Sequence, residues 1–195
     1  MNRKTILAAA VAAALGAGAA TALAHTGATG VVKERMEAMK AMGDSMKELT
    51  AIMRGQQDYD AGRVRALATR IGVHGGEAMT ELFPEGSLDH PSEALPTIWS
   101  NWERFSDLAI RLDDYASALA AAADNQRPAG GAMQGQGMMQ GQSMMQGQGM
   151  MSGGMMGTGQ GPTPEMLAQM PPDAVFLHLA DTCSACHQDF RKKQN

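Results

Sequence analysis

The sequence predicts an all-helical fold, an antiparallel bundle of four main helices. Four segments carry apolar residues at three- and four-residue steps, the period of a helix with one buried face. No segment alternates apolar and polar residues as a half-buried strand does. The chain has 195 residues, 44% of them hydrophobic, which is enough for one domain with its own core.

The opening residues form a separate unit. Arg3 and Lys4 precede an alanine-rich apolar run from Ile6 to about Ala20, and Ala22-Leu23-Ala24 is a small-x-small cleavage pattern. Residues 1–24 are expected to be a cleaved export signal, with 25–195 working in the periplasm. The run is short and glycine-broken for a membrane anchor, and no later stretch reaches the ~20 apolar residues of a span. Losing Arg3 and Lys4 takes the formal charge from −4 to −6, a balance that argues against nucleic acid as a partner.

The first helix is expected from about Gly30 to Arg54. Its inward stripe runs through Val32, Met36 (or Arg35), Met39, Met42 (or Gly43), Met46, Leu49 and Met53. Gly55 suits the C-terminal cap. The second runs from about Tyr59 to Leu82, capped by Asp58 or Asp60. Its inward face is Val64, Leu67, Ala68, Ile71, Ala78, Met79 and Leu82. Gly72, Gly75 and Gly76 weaken it, each by up to ~1 kcal/mol relative to Ala, and permit close approach of a neighbour. The turn signal "FPEGS" follows.

The third helix is expected from about Pro91 to Ala123, with Ile98, Trp102, Phe105, Leu108 (or Ala109), Leu112, Tyr115 and Leu119 at helical spacing. Pro96 falls in its first turns or marks a break. The fourth runs from about Asp173 to Lys192, with Val175, Phe176, Leu179, Thr182, Cys183, Cys186 and Phe190 on one face. Between them, 125–164 is an imperfect repeat of Met-Met-Gln-Gly-Gln with no charge between Arg127 and Glu165. Such a composition cannot offset the entropy of ordering, so a disordered insert is expected. Within "TPEM", Thr163 and Pro164 read as a cap and first turn.

The only two cysteines lie in "DTCSACHQDF". On a helix, Cys183 and Cys186 share a face and can both add to the vinyl groups on one edge of a porphyrin. His187 then reaches the iron from the same side. A dithiol switch of the thioredoxin kind expects a βαβ context, and a zinc site needs more ligands than one cysteine pair and a histidine provide. A disulfide here would close a very short loop and stabilise little. The expected cofactor is one covalent haem c, held by Cys183 and Cys186 with His187 as proximal iron ligand.

A helical bundle ending in C-x-x-C-H resembles the class II c-type cytochromes, the cytochrome c′ family. "LFPEGS", "HPSEALPTIWSNWERF" and "CSACHQDFRKK" carry the resemblance, which covers about 29–124 and 173–193. The stretch 125–172 departs from it, since the family's connection there is short. The resemblance implies a one-electron Fe(III)/Fe(II) carrier rather than an enzyme, working with redox partner proteins and often dimeric through helices one and two. By the match of "KERMEAMKAMG", it places Met39, four residues after Arg35, as the distal ligand, in the low-spin, Met/His-ligated branch. Met36 and Met42 are the neighbouring candidates, and a purely packing role for all three is the alternative. It also places Phe190 on the proximal side and Arg191 near His187. On the residues themselves, Arg35 is either a partner for a haem propionate or a plain surface residue, and Trp102 with Trp99, Phe105 and Phe176 are candidates for the pocket walls. For the aromatic residues ordinary core packing is the competing reading. Other family members keep the distal position open and bind nitric oxide or carbon monoxide.

Nine methionines lie between 133 and 156. Thioethers select Cu(I), so copper handling by the insert is one expectation. Reversible oxidant scavenging and a plain spacer are the others.

Overall fold

The computed structural model describes residues 27–127 and 161–193. The expected export signal and most of the Met-rich insert lie outside the described residues. The described chain folds into α1 (Gly30–Met53), α2 (Ala61–Gly72), α3 (Gly76–Thr80), α4 (Thr97–Ser100), α5 (Trp102–Ala122), α6 (Pro164–Ala168) and α7 (Pro172–Phe190). Among the described residues the sole β-type pairing is an isolated bridge between Ala94 and Arg191.

α5 is the central helix. α2, α3, α6 and α7 all pack on it, while α1 packs chiefly on α2 and meets α7 sparsely. The core runs through Leu49, Ile52, Ile71, Phe105, Leu119 and Leu179, all fully buried. Local chemistry sets the ends. Gly55 follows α1 at φ 69°, the left-handed region that favours glycine. The Asp60 carboxylate accepts from the Arg63 N–H at 2.5 Å and caps α2. Thr163 caps α6, accepting from the Met166 N–H at 3.4 Å.

Three departures from the expected elements have physical causes. The second helix breaks between Gly72 and Gly76. A Cβ on Gly75 would lie 2.7 Å from the Asp113 N and 2.9 Å from its Cβ, so the chain bends there to let α3 approach the backbone of α5. The third helix starts at Thr97 rather than Pro91, because 92–95 pairs with the end of α7 instead of coiling. The two ends of the expected insert, 125–127 and 161–164, are ordered. The Asn125 Nδ2 donates to the Ala168 and Met170 carbonyls, both at 2.8 Å. Arg127 grips Asp173 through two 2.7 Å bonds. The Tyr115 hydroxyl donates to the Pro162 carbonyl at 3.2 Å. Both flanks of 128–160 are thus fixed to the bundle.

Candidate haem site

α7 brings the three motif residues to one end of the bundle. Cys183 and Cys186 are unpaired and half-buried, and both pack against the hydrophobic core. Burial pushes both thiols up. Cys186 reaches about 11, with the neighbouring Cys183 and Asp189 adding to the effect. The direction is opposite to the depressed thiol pKa that marks a reactive dithiol. Among the described residues no further group of His, Cys, Asp or Glu gathers to complete a metal cage. His187 is exposed. Its pKa is lowered, first by burial of part of the ring and then by the Arg191 charge, which favours the neutral imidazole a metal requires.

The floor beneath the motif is aromatic. Phe190 is buried and meets Phe105 edge-on at 5.4 Å between centroids. Phe105 in turn meets Phe83 at 4.8 Å and Trp102 at 5.5 Å. Trp102 is the outer member, 41% exposed. Trp99 is half-buried and its indole N–H donates to the Phe83 carbonyl at 3.0 Å. Phe176 is in the core. Arg191 leaves the helix in an extended conformation and binds Glu93. Lys192 donates its ammonium to the Ser92 carbonyl at 3.1 Å. His178 lies edge-on to Tyr115 at 6.1 Å, on the flank rather than in the site.

α1 carries the remaining candidates. Its buried row is Val32, Arg35, Ala38, Met42, Ser45, Leu49, Ile52 and Met53, rotated from the stripe that residue type alone suggested. Met36, Met39 and Met46 lie half-buried beside that row. Arg35 is only 5% exposed. Its Nη2 donates to the Ser87 carbonyl at 2.6 Å and its guanidinium lies 4.2 Å above the Phe83 ring. Its Nε and Nη1 are buried without a protein partner, and burial lowers its pKa. Leaving donors of a buried cation unpaired costs on the order of 1–3 kcal/mol each. Such a residue fits an anionic partner.

These residues fit haem c by three features: two half-buried thiols three residues apart on one helix, an imidazole one residue on, and a buried cation with two donors unpartnered by protein, suited to a propionate. Ser87, Phe83 and Glu93 were not picked out from sequence. Ser87 is 52 residues from Arg35, and no local pattern marks such a partner.

Comparison with known proteins follows the same line. A family profile described as Cytochrome C′ matches residues 30–148. It stops short of α7, which the insert displaces along the chain. A cytochrome c-556 of Agrobacterium tumefaciens (strain II Chrys) is 39% identical over 106 residues, 54% of this chain and 85% of that protein. A solved cytochrome c′ from Rhodopseudomonas palustris aligns with a TM-score of 0.57 at 21% identity, over 86% of this chain and 100% of that one. A cytochrome c prime variant from Alcaligenes xylosoxidans, solved as its nitric oxide complex, aligns with a TM-score of 0.54 at 21% identity, over 84% and 94%. At these identities the two solved structures bear on the fold alone, which is that of the cytochrome c′ bundle.

Proposed function

This chain belongs to the cytochrome c′ family, and from that premise we propose that it is a periplasmic electron carrier with one covalent haem c. Cys183 and Cys186 hold the group, His187 is the proximal ligand and Met39 the distal one. Bound haem c supplies a one-electron Fe(III)/Fe(II) couple. The protein's part is to hold, orient and insulate it.

The observation that carries the Met39 assignment is its place beside the core. Met42 is 7% exposed and committed to packing. Met36 is not among the residues packed against the core, whereas Met39 is, together with Cys183 and Cys186. A distal ligand needs a side chain fixed at the edge of the core, and Met39 alone of the three has that position. Arg35, one turn earlier, offers its two free donors to a propionate, and the Phe105–Phe190 pair shields the proximal side. No helix among the described residues is long and apolar enough to cross a membrane.

The test is the visible spectrum of the holoprotein. Met/His ligation gives a low-spin spectrum with a Met-to-iron band in the far red, and Met39→Ala abolishes both. A high-spin spectrum that Met39→Ala leaves unchanged would sink the assignment. It would favour the second reading, an open distal site for nitric oxide or carbon monoxide. Dimerisation through α1 and α2 belongs to the same proposal, and sedimentation of the holoprotein reads it. Copper handling rests on the composition of the insert, outside the described residues.

A further inference from the structure

Residues 92–97 cross the last turn of α7 and are stitched to it. The Leu95 N–H donates to the Phe190 carbonyl at 2.9 Å and the Lys192 N–H to the Glu93 carbonyl at 2.8 Å. The Thr97 hydroxyl donates to the Asp189 carbonyl at 3.2 Å, and Ala94 forms the bridge to Arg191. This seam is made largely by main chain, so it fixes the backbone of Arg191 whatever the side chain of Glu93.

The side chain of Glu93 does something separate. Its Oε2 accepts from the Arg191 Nε at 2.9 Å and Nη2 at 2.7 Å. Arg191 sits one turn after His187, and its N–H donates to the His187 carbonyl at 3.2 Å. A cation beside an axial imidazole favours Fe(II) over Fe(III) and draws electron density from the ligand. A carboxylate held on that cation offsets both effects.

We propose that Glu93 is a positioning residue for the haem iron: it fixes the Arg191 guanidinium and compensates its charge beside the axial histidine, and so sets the reduction potential. This rests on the haem c reading above, with His187 as ligand. It does not depend on whether Met39 closes the other side. Haem that stays on the denatured chain of the unsubstituted protein, and loss of the proximal iron–nitrogen stretch in His187→Ala, test that reading by themselves.

The experiment is a charge cycle in the holoprotein: Glu93→Gln, Arg191→Gln, the double variant and Glu93→Asp, each by redox titration and resonance Raman of the ferrous form. Both side chains are about half-exposed, 49% for Glu93 and 40% for Arg191, so solvent screens the pair. Glu93→Gln is expected to raise the reduction equilibrium constant about threefold, or about 30 mV at 59 mV per decade for one electron. Arg191→Gln is expected to lower it by a similar factor. The double variant, again neutral, returns close to the parent, and Glu93→Asp, which keeps the charge, stays close to it. The iron–histidine stretch falls in Glu93→Gln and rises in Arg191→Gln. A merely structural ion pair gives a different pattern: both single variants lose stability and shift the potential in the same direction, without recovery in the double. That pattern, or an unchanged potential in Glu93→Gln, overturns the proposal.

Discussion

Replacing Arg127 with Met is expected to destabilise the bundle by about 3 kcal/mol. The Asp173 carboxylate is 0% exposed, and both its oxygens are engaged by Arg127 at 2.7 Å. The guanidinium also lies 4.2 Å above the Tyr59 ring, and the Tyr59 hydroxyl donates to the Ala123 carbonyl at 2.6 Å. Removing the cation leaves a buried carboxylate with nothing to offset its desolvation, a loss on the order of 3–5 kcal/mol. Arg127 keeps 22% exposure, so some water reaches the pair, which sets the lower end. For a domain of this size the loss corresponds to a fall in Tm of about 12 °C. Guanidinium and thermal unfolding of the holoprotein, followed by far-ultraviolet circular dichroism, measure it. Arg127→Lys keeps the charge but not the two-pronged geometry and is expected to fall between. The double variant Arg127→Met/Asp173→Leu removes the buried charge as well and is expected to recover most of the loss. A single variant within about 0.5 kcal/mol of the parent refutes the reasoning, as does a double variant no better than the single. The clamp matters because it joins the last residue before 128–160 to the first turn of the helix that carries the haem motif.

Gly75→Ala is expected to cost about 1–3 kcal/mol, because its Cβ would meet the backbone of Asp113 at 2.7 Å. Gly43→Ala, inside α1 with nothing within 4 Å of the added Cβ, is expected to gain about 0.5–1 kcal/mol; denaturant midpoints that moved both the same way would contradict the packing described. Asp114 has its carboxyl pushed above the usual range, first by burial and then by Asp113 and Glu165. A raised acid binds its proton more tightly when folded, so stability falls as pH rises through the window above the unfolded pKa. Asp114→Asn should therefore stabilise at about pH 7 and change nothing at about pH 3, read by unfolding at the two pH values. Excising 128–160 between the fixed flanks is expected to leave the haem spectrum unchanged, and an unchanged Cu(I) stoichiometry would reject the copper reading of the methionines.

What could be read from sequence divides by the range of the cause. Asp60, Gly55 and Thr163 act within a few residues of themselves, and each appears where the sequence put it. The break at Gly75 was read only as a weak point, since what bends the chain there is the backbone of Asp113, on a helix almost forty residues away. The stripe of α1 was displaced for a related reason. Residue type selects the methionines, but burial is decided by what lies opposite, and there Ala38 and Ser45 go inward while Met36 and Met39 stay at the edge. Arg35 is the clearest case. A cation in a buried row runs against hydrophobic patterning, and folding places it there with two donors unmatched by protein. Natural sequences break local rules where function requires it. The two features of α1, a buried arginine and a methionine held beside the core, stand one turn apart. A chain built for packing alone gains nothing from either. A chain that holds an anionic haem, as proposed, gains from both: the arginine offers donors to a propionate and the methionine a thioether to the iron.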